Sequence, residues 1–243
     1  MENLSSIQPE LKKVEEIIDR FFLSTISQKN KLAGLNLKTS DRLLLPALVL
    51  AVSNTAGPIM KPMITLGALF QCLYLANRIQ GLAAKESGKD QQFSVIMGDY
   101  IFGQAIYLMS DEKIHPYLND FVSVIKSINE GTVLRWRLRQ KRADLKDYKL
   151  LISKERASLT ALASRMSAEI SGINPEHAPK LERLGYNLGF AWAAMEEPKF
   201  SFGPEYSLKV KANISELGAD LSVKPLEDLY RFFQAEVEGN KMN

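Results

Sequence analysis

Residues 184–200 read LGYNLGFAWAAMEEPKF, and the fold turns on how that stretch is read. Its apolar density predicts a buried helix that runs into two adjacent acids, Glu196 and Glu197, and stops at a proline. Pro198 lacks an N–H, its ring clashes with the carbonyl of Ala194, and it disfavours helical geometry at Glu197. The helix is therefore expected to end or kink there. Gly185 and Gly189, four apart on the same helix, predict close packing against a neighbour rather than a ligand site. The two glutamates are either a solvated helix terminus or part of a metal grip. The terminus is the better reading, because two acids without a third on their face bind Mg²⁺ weakly.

Outward from that helix, apolar residues keep helical spacing almost everywhere, as in Leu11, Val14, Ile17, Ile18 and Phe21, and again in Leu118, Phe121, Val122, Ile125 and Ile128. Only YSLKVKANI, residues 206–214, alternates like a strand, and a helix beginning near Ser207 fits it equally well. Breakers lie near residues 54–62, 85–92, 110–116, 171–179 and 197–206. About eight helices joined by short turns are predicted, forming a single all-α domain over 1–243 with a tail that frays after Glu238. The most apolar runs, LLLPALVLAV and MITLGALFQCLYLA, fall short of the roughly 20 residues a membrane span needs, and Pro46 interrupts the first. Both predict buried helices of a protein that is not transmembrane.

The 243 residues carry a formal charge of +3 spread along the chain, which is no footprint for nucleic acid. LRWRLRQKR, residues 134–142, would place Arg135, Arg139 and Arg142 on one helical face. A solvated stripe with Trp136 turned inward is preferred there over a binding surface for RNA or acidic lipid. One cysteine, Cys72, excludes an internal disulfide, and with only His115 and His177 beside it there is no ligand set for structural zinc. The acidic N-terminus lacks the pattern of a signal peptide, so a cytoplasmic location is expected. Asp99, in GDYIF, reads as an N-cap after a turn rather than a substrate contact.

Three stretches in order resemble the trans-type polyprenyl diphosphate synthases: DRLLLPALVLAVS at 41–53, SVIMGDYIFGQAIYLM at 94–109, and LERLGYNLGFAWAAMEE at 181–197. The resemblance implies an isoprenoid-synthase-like helical bundle around a deep cavity, shortened near the C-terminus. It also implies a site where two DDxxD motifs face each other. Carboxylates one helical turn apart share Mg²⁺ ions, which neutralise a diphosphate and help it leave.

This chain departs from the family at those places. The first motif should fall near residues 80–84, which read QGLAA, and no Asp or Glu occurs between Asp41 and Glu86. Hard Mg²⁺ ions need oxygen ligands, preferably charged. At the second motif Glu196 and Glu197 take the aspartate pair, Ala193 the glutamine and Phe200 the last aspartate. The early G-G-K-x-x-R-P pattern becomes SDRLLLP, leaving Arg42 as the one surviving cation and a candidate diphosphate contact. Where the family carries Lys-Thr, this chain offers Glu155 and Arg156, or Lys154 after a one-residue slip.

The resemblance thus implies a fold kept without its chemistry, closest to component I, the small motif-free subunit of bacterial heptaprenyl diphosphate synthases. Such a subunit has no catalytic residues and no cofactor of its own. A motif-bearing large subunit would supply Mg²⁺ and the prenyl transfer, with prenyl diphosphate at the shared site, toward a quinone side chain such as that of menaquinone. The alternative is a prenyl- or lipid-binding protein that uses the emptied cavity.

Overall fold

The computed structural model describes residues 2–23, 37–83, 87–111, 113–139, 144–196 and 202–241. After a 3₁₀ turn at Glu2–Ile7 come α1 (Gln8–Leu23), α2 (Thr39–Asn54), α3 (Lys61–Ala83), α4 (Gly88–Leu108), α5 (Leu118–Leu138) and α6 (Leu145–Ile152). A π-helical turn, Ser153–Ala157, joins α6 to α7 (Ser158–Ile170), which is succeeded by α8 (Ala178–Glu196), α9 (Gly203–Leu217) and α10 (Lys224–Lys241). The described residues contain no strand. YSLKVKANI is helical, inside α9, whose first turn carries Pro204 where a missing N–H costs nothing. Among the described residues ten α-helical segments stand against the expected eight; the turn at 218–223 carries a weaker signal, and residues 140–143 lie outside the described residues. At the C-terminus, α10 runs past Glu238 to Lys241.

The helix α3 is central. Met63, Leu66, Phe70, Cys72, Leu73 and Leu75 leave it almost no solvent-facing side over four turns, as expected of a helix apolar all round. It is enclosed by α1, α2, α4 and α7, and Phe70 meets Phe121 of α5 with ring centroids 5.4 Å apart. Pro46 does not end α2; the helix continues to Asn54 with Pro46 buried. Gly67 of α3 faces it, where a methyl group would lie 3.3 Å from Val14 and 3.5 Å from Pro46 Cα.

The pair α7 and α8 shows the glycine spacing at work. A methyl at Gly185 would stand 2.3 Å from the Thr160 carbonyl oxygen, and one at Gly189 2.7 Å from Ala157 Cα. The helices meet backbone to backbone, as their spacing predicts. No described helix is long and apolar enough to cross a membrane.

Candidate functional site

The π turn decides which side chains of residues 153–157 face inward. One extra residue in the turn rotates the next helical segment about its axis, and such turns often mark functional sites. Glu155 points toward α5, where Arg135 grips it with Nε and Nη2 at 3.0 and 2.7 Å from Oε2. Lys154 reaches Glu130 of α5 at 2.6 Å, which holds the Glu130 carboxyl below its ordinary range. Gly131 opens the space for this contact: a methyl there would meet Glu155 Cγ at 2.5 Å. With both neighbours drawn toward α5, Arg156 turns to the other side and is 9% exposed. Of these three residues it is Arg156 that faces the interior.

The Arg156 guanidinium carbon lies 3.9 Å from the Trp192 ring centroid and 4.5 Å from that of Tyr74. The two rings themselves meet at 4.9 Å. A desolvated guanidinium over aromatic faces is held by about 2 kcal/mol or more. The Tyr74 hydroxyl donates to Asp41 Oδ1 at 2.7 Å, and Gln71 Nε2 donates to the Asp41 carbonyl at 2.8 Å. Asp41 sits in the first turn of α2, where its Oδ2 also accepts from the Lys38 N–H at 3.1 Å. It is 2% exposed, so a charge-bearing group is buried at a helix N-terminus with hydrogen bonds to match. Sequence reasoning did not single out Asp41, Tyr74 or Trp192 as a cluster; the replacement of a glycine by Asp41 in the early motif was the available signal.

Along the helix axes this cluster is one to two turns from both motif positions. Tyr74 precedes Gln80 on α3 by six residues, about 9 Å along the axis, and Trp192 precedes Glu196 on α8 by four, about 6 Å. At the first position, Gln80 donates through Nε2 to Asp99 Oδ1 of α4 at 2.8 Å. Residues 80–83 offer no carboxylate there, so the chemistry of this donor set does not fit Mg²⁺. At the second, α8 is described as far as Glu196; that side chain, and Glu197, Pro198 and Phe200, lie outside the described residues. Among the described residues no three His, Cys, Asp or Glu side chains could share a metal ion.

Arg42 lies apart from the cluster. Its side chain is 60% exposed and reaches Glu15 of α1 at 3.8 Å, while its neighbour Asp41 faces inward. Asp99 is no N-cap: it lies in the middle of α4, whose cap position is Ser87. Gly98 beside it leaves room for Gln80, since a methyl there would meet Gln80 Cγ at 2.3 Å. Trp136 is not turned inward but is 58% exposed. The buried stripe of α5 is Phe121, Val124, Ile128 and Leu138, and at about 100° per residue Trp136 falls on the far side. Of its arginines, Arg135 pairs with Glu155, Arg139 is exposed, and Arg142 lies outside the described residues. His115 is exposed in a 3₁₀ turn and His177 is buried before α8.

Residues 80–196 match the family model described as polyprenyl synthetase. The matched segment, just under half of the 243 residues, is similar to the polyprenyl synthetase family. Comparison with curated proteins gave no match. Solved structures of polyprenyl synthetases share the helical bundle. A polyprenyl synthase from Caulobacter crescentus, complexed with calcium and isoprenyl diphosphate, is 20% identical with a TM-score of 0.66 over 80% of this chain and 63% of its own. A geranylgeranyl pyrophosphate synthase from Corynebacterium glutamicum is 15% identical with a TM-score of 0.73, covering 96% and 92%. A deletion mutant of the heterotetrameric geranyl pyrophosphate synthase of mint is 17% identical with a TM-score of 0.65, covering 93% and 99%. At these identities the likeness is one of fold. The chain spans less than two thirds of the length of the Caulobacter synthase.

Proposed function

We propose that this chain is the non-catalytic small subunit of a two-component long-chain polyprenyl diphosphate synthase. A motif-bearing large subunit supplies Mg²⁺, the diphosphate clamp and the prenyl transfer. The small subunit completes the assembly and sets how far the product grows, because product length follows cavity depth and a packed partner can change that depth. The carrying observation is the contrast at the first motif position: the family's frame is present around it, yet Gln80 there is engaged by Asp99 and no acid lies between Asp41 and Glu86. The heterotetrameric make-up of the mint synthase supports a division into subunits. In this reading the chain resembles component I of heptaprenyl diphosphate synthases, acting in the cytoplasm toward a quinone side chain such as that of menaquinone.

The competing reading is a prenyl or lipid carrier using an emptied cavity. Tyr74, Arg156 and Trp192 argue against it, since their packed side chains occupy interior space within two turns of the motif positions along α3 and α8. The test is prenyl transfer from isopentenyl diphosphate to an allylic diphosphate with Mg²⁺. The isolated chain should give no product, and addition of the cell's motif-bearing synthase should restore long-chain synthesis. Turnover by the chain alone refutes the reading, and tight prenyl binding by the isolated monomer favours the carrier.

A further inference from the structure

The helix α10 has two unlike parts. Leu226, Leu229, Phe232 and Phe233 anchor the first part in the bundle, each at most 4% exposed. From Gln234 to Gly239 no side chain is buried, and Gly239 stands where glycine weakens a helix. This second part nonetheless reaches the interior: Glu236 Oε2 accepts from the Ser40 N–H of α2 at 3.1 Å. Ser40 is buried in the first turn of α2, where a backbone N–H has no partner within its own helix and the dipole favours a carboxylate.

We propose that the end of α10 is a latch, and that its closing on Ser40 holds the polar core in place as far as Trp192. The contacts are continuous. Next to Ser40 is Asp41, whose carboxylate accepts from the Tyr74 hydroxyl at 2.7 Å and from the Lys38 N–H at 3.1 Å. The Tyr74 ring meets that of Trp192 at 4.9 Å, and the Arg156 guanidinium lies against both. The first turn of α2 is the link, because a shift of that turn carries Asp41 away from Tyr74. A buried carboxylate loses its hydrogen bonds only at high cost, so the core responds to the turn. A helix end with little apolar burial opens locally while the rest of the fold stands. The latch thereby couples the C-terminal end of α10 to the motif end of α8 through packed neighbours, and it holds whether or not the subunit reading does.

The two ends of this connection are read separately in the full chain. Amide hydrogen exchange followed by NMR reports Ser40, and in a Trp136→Phe background all tryptophan emission comes from Trp192. Glu236→Ala should speed exchange of the Ser40 amide about tenfold or more, as for loss of a hydrogen bond to a charged group, and raise acrylamide quenching of Trp192 about twofold. Glu236→Gln keeps an accepting oxygen and should recover most of both. Glu238→Ala removes the same charge from an exposed position of α10 and should change neither. Gly239→Ala, whose methyl meets nothing within 4 Å, should slow Ser40 exchange about two- to fivefold by stiffening the helix end. Faster Ser40 exchange with Trp192 still protected overturns the connection to the core. No change at Ser40, or the same change from Glu238→Ala, overturns the latch. An equal rise at amides in the middle of α7 means global destabilisation and overturns it as well.

Discussion

Replacing Gly185 with alanine puts the contact between α7 and α8 to a quantitative test. The new methyl would stand 2.3 Å from the Thr160 carbonyl oxygen, 2.5 Å from Ser164 Oγ and 2.9 Å from Ser164 Cβ. Ordinary contact begins at 3.4 Å, so the helices must part by about 1 Å at an atom that cannot swing aside. Overpacking of this kind costs about 1–3 kcal/mol, and a backbone obstacle belongs at the upper end. Alanine returns about 1 kcal/mol of helix propensity, leaving a net loss of about 2 kcal/mol. Two controls separate the effects. Gly103 on α4 has nothing within 4 Å, so Gly103→Ala should gain up to about 1 kcal/mol. Gly98→Ala meets the flexible Gln80 side chain and should stay within about 1 kcal/mol of the parent as Gln80 gives up its bond to Asp99. Urea unfolding read by circular dichroism gives all three as midpoints at unchanged slope. A Gly185→Ala protein as stable as Gly103→Ala would refute the backbone-contact argument.

Two further outcomes derive from burial. Burial pushes the Cys72 thiol up to about 12, so at pH 8 a disulfide reagent should modify it only as fast as the chain unfolds, and rapid stoichiometric labelling of native protein would contradict the packing of α3. Trp136 is 58% exposed and Trp192 1%, so acrylamide should quench one emission component. Trp136→Phe should remove that component and leave Trp192 protected; equal quenching of both would place Trp192 outside the core.

The helical fold was legible in residues whose signal is local. The periodicity of α1 and α5, the break before α8, and the glycine pair at 185 and 189 each express a rule acting within one or two turns. Asp99 misled because a Gly-Asp pair is a capping signal by itself, and only the packing of α3 on α4 shows Gly98 as the gap that admits Gln80. Trp136 misled for a related reason. An aromatic residue among arginines is normally the one to be buried, but α5 has two apolar faces and the bundle takes only one.

By itself, then, the sequence determined an all-α chain with the family's segments in order and a first motif position without acids. Those properties need no partner residue to be read. Which charged groups point inward was decided by the tertiary structure. Arg156 enters the core because the π turn shifts the rotation of the chain and because Glu155 and Lys154 find partners on α5, at positions 20 and 24 residues away. Asp41 is buried because Tyr74, 33 residues on, supplies its hydrogen bond. A buried charge is tolerated only where distant groups compensate its desolvation, so its location can be read only after the helices have been brought together.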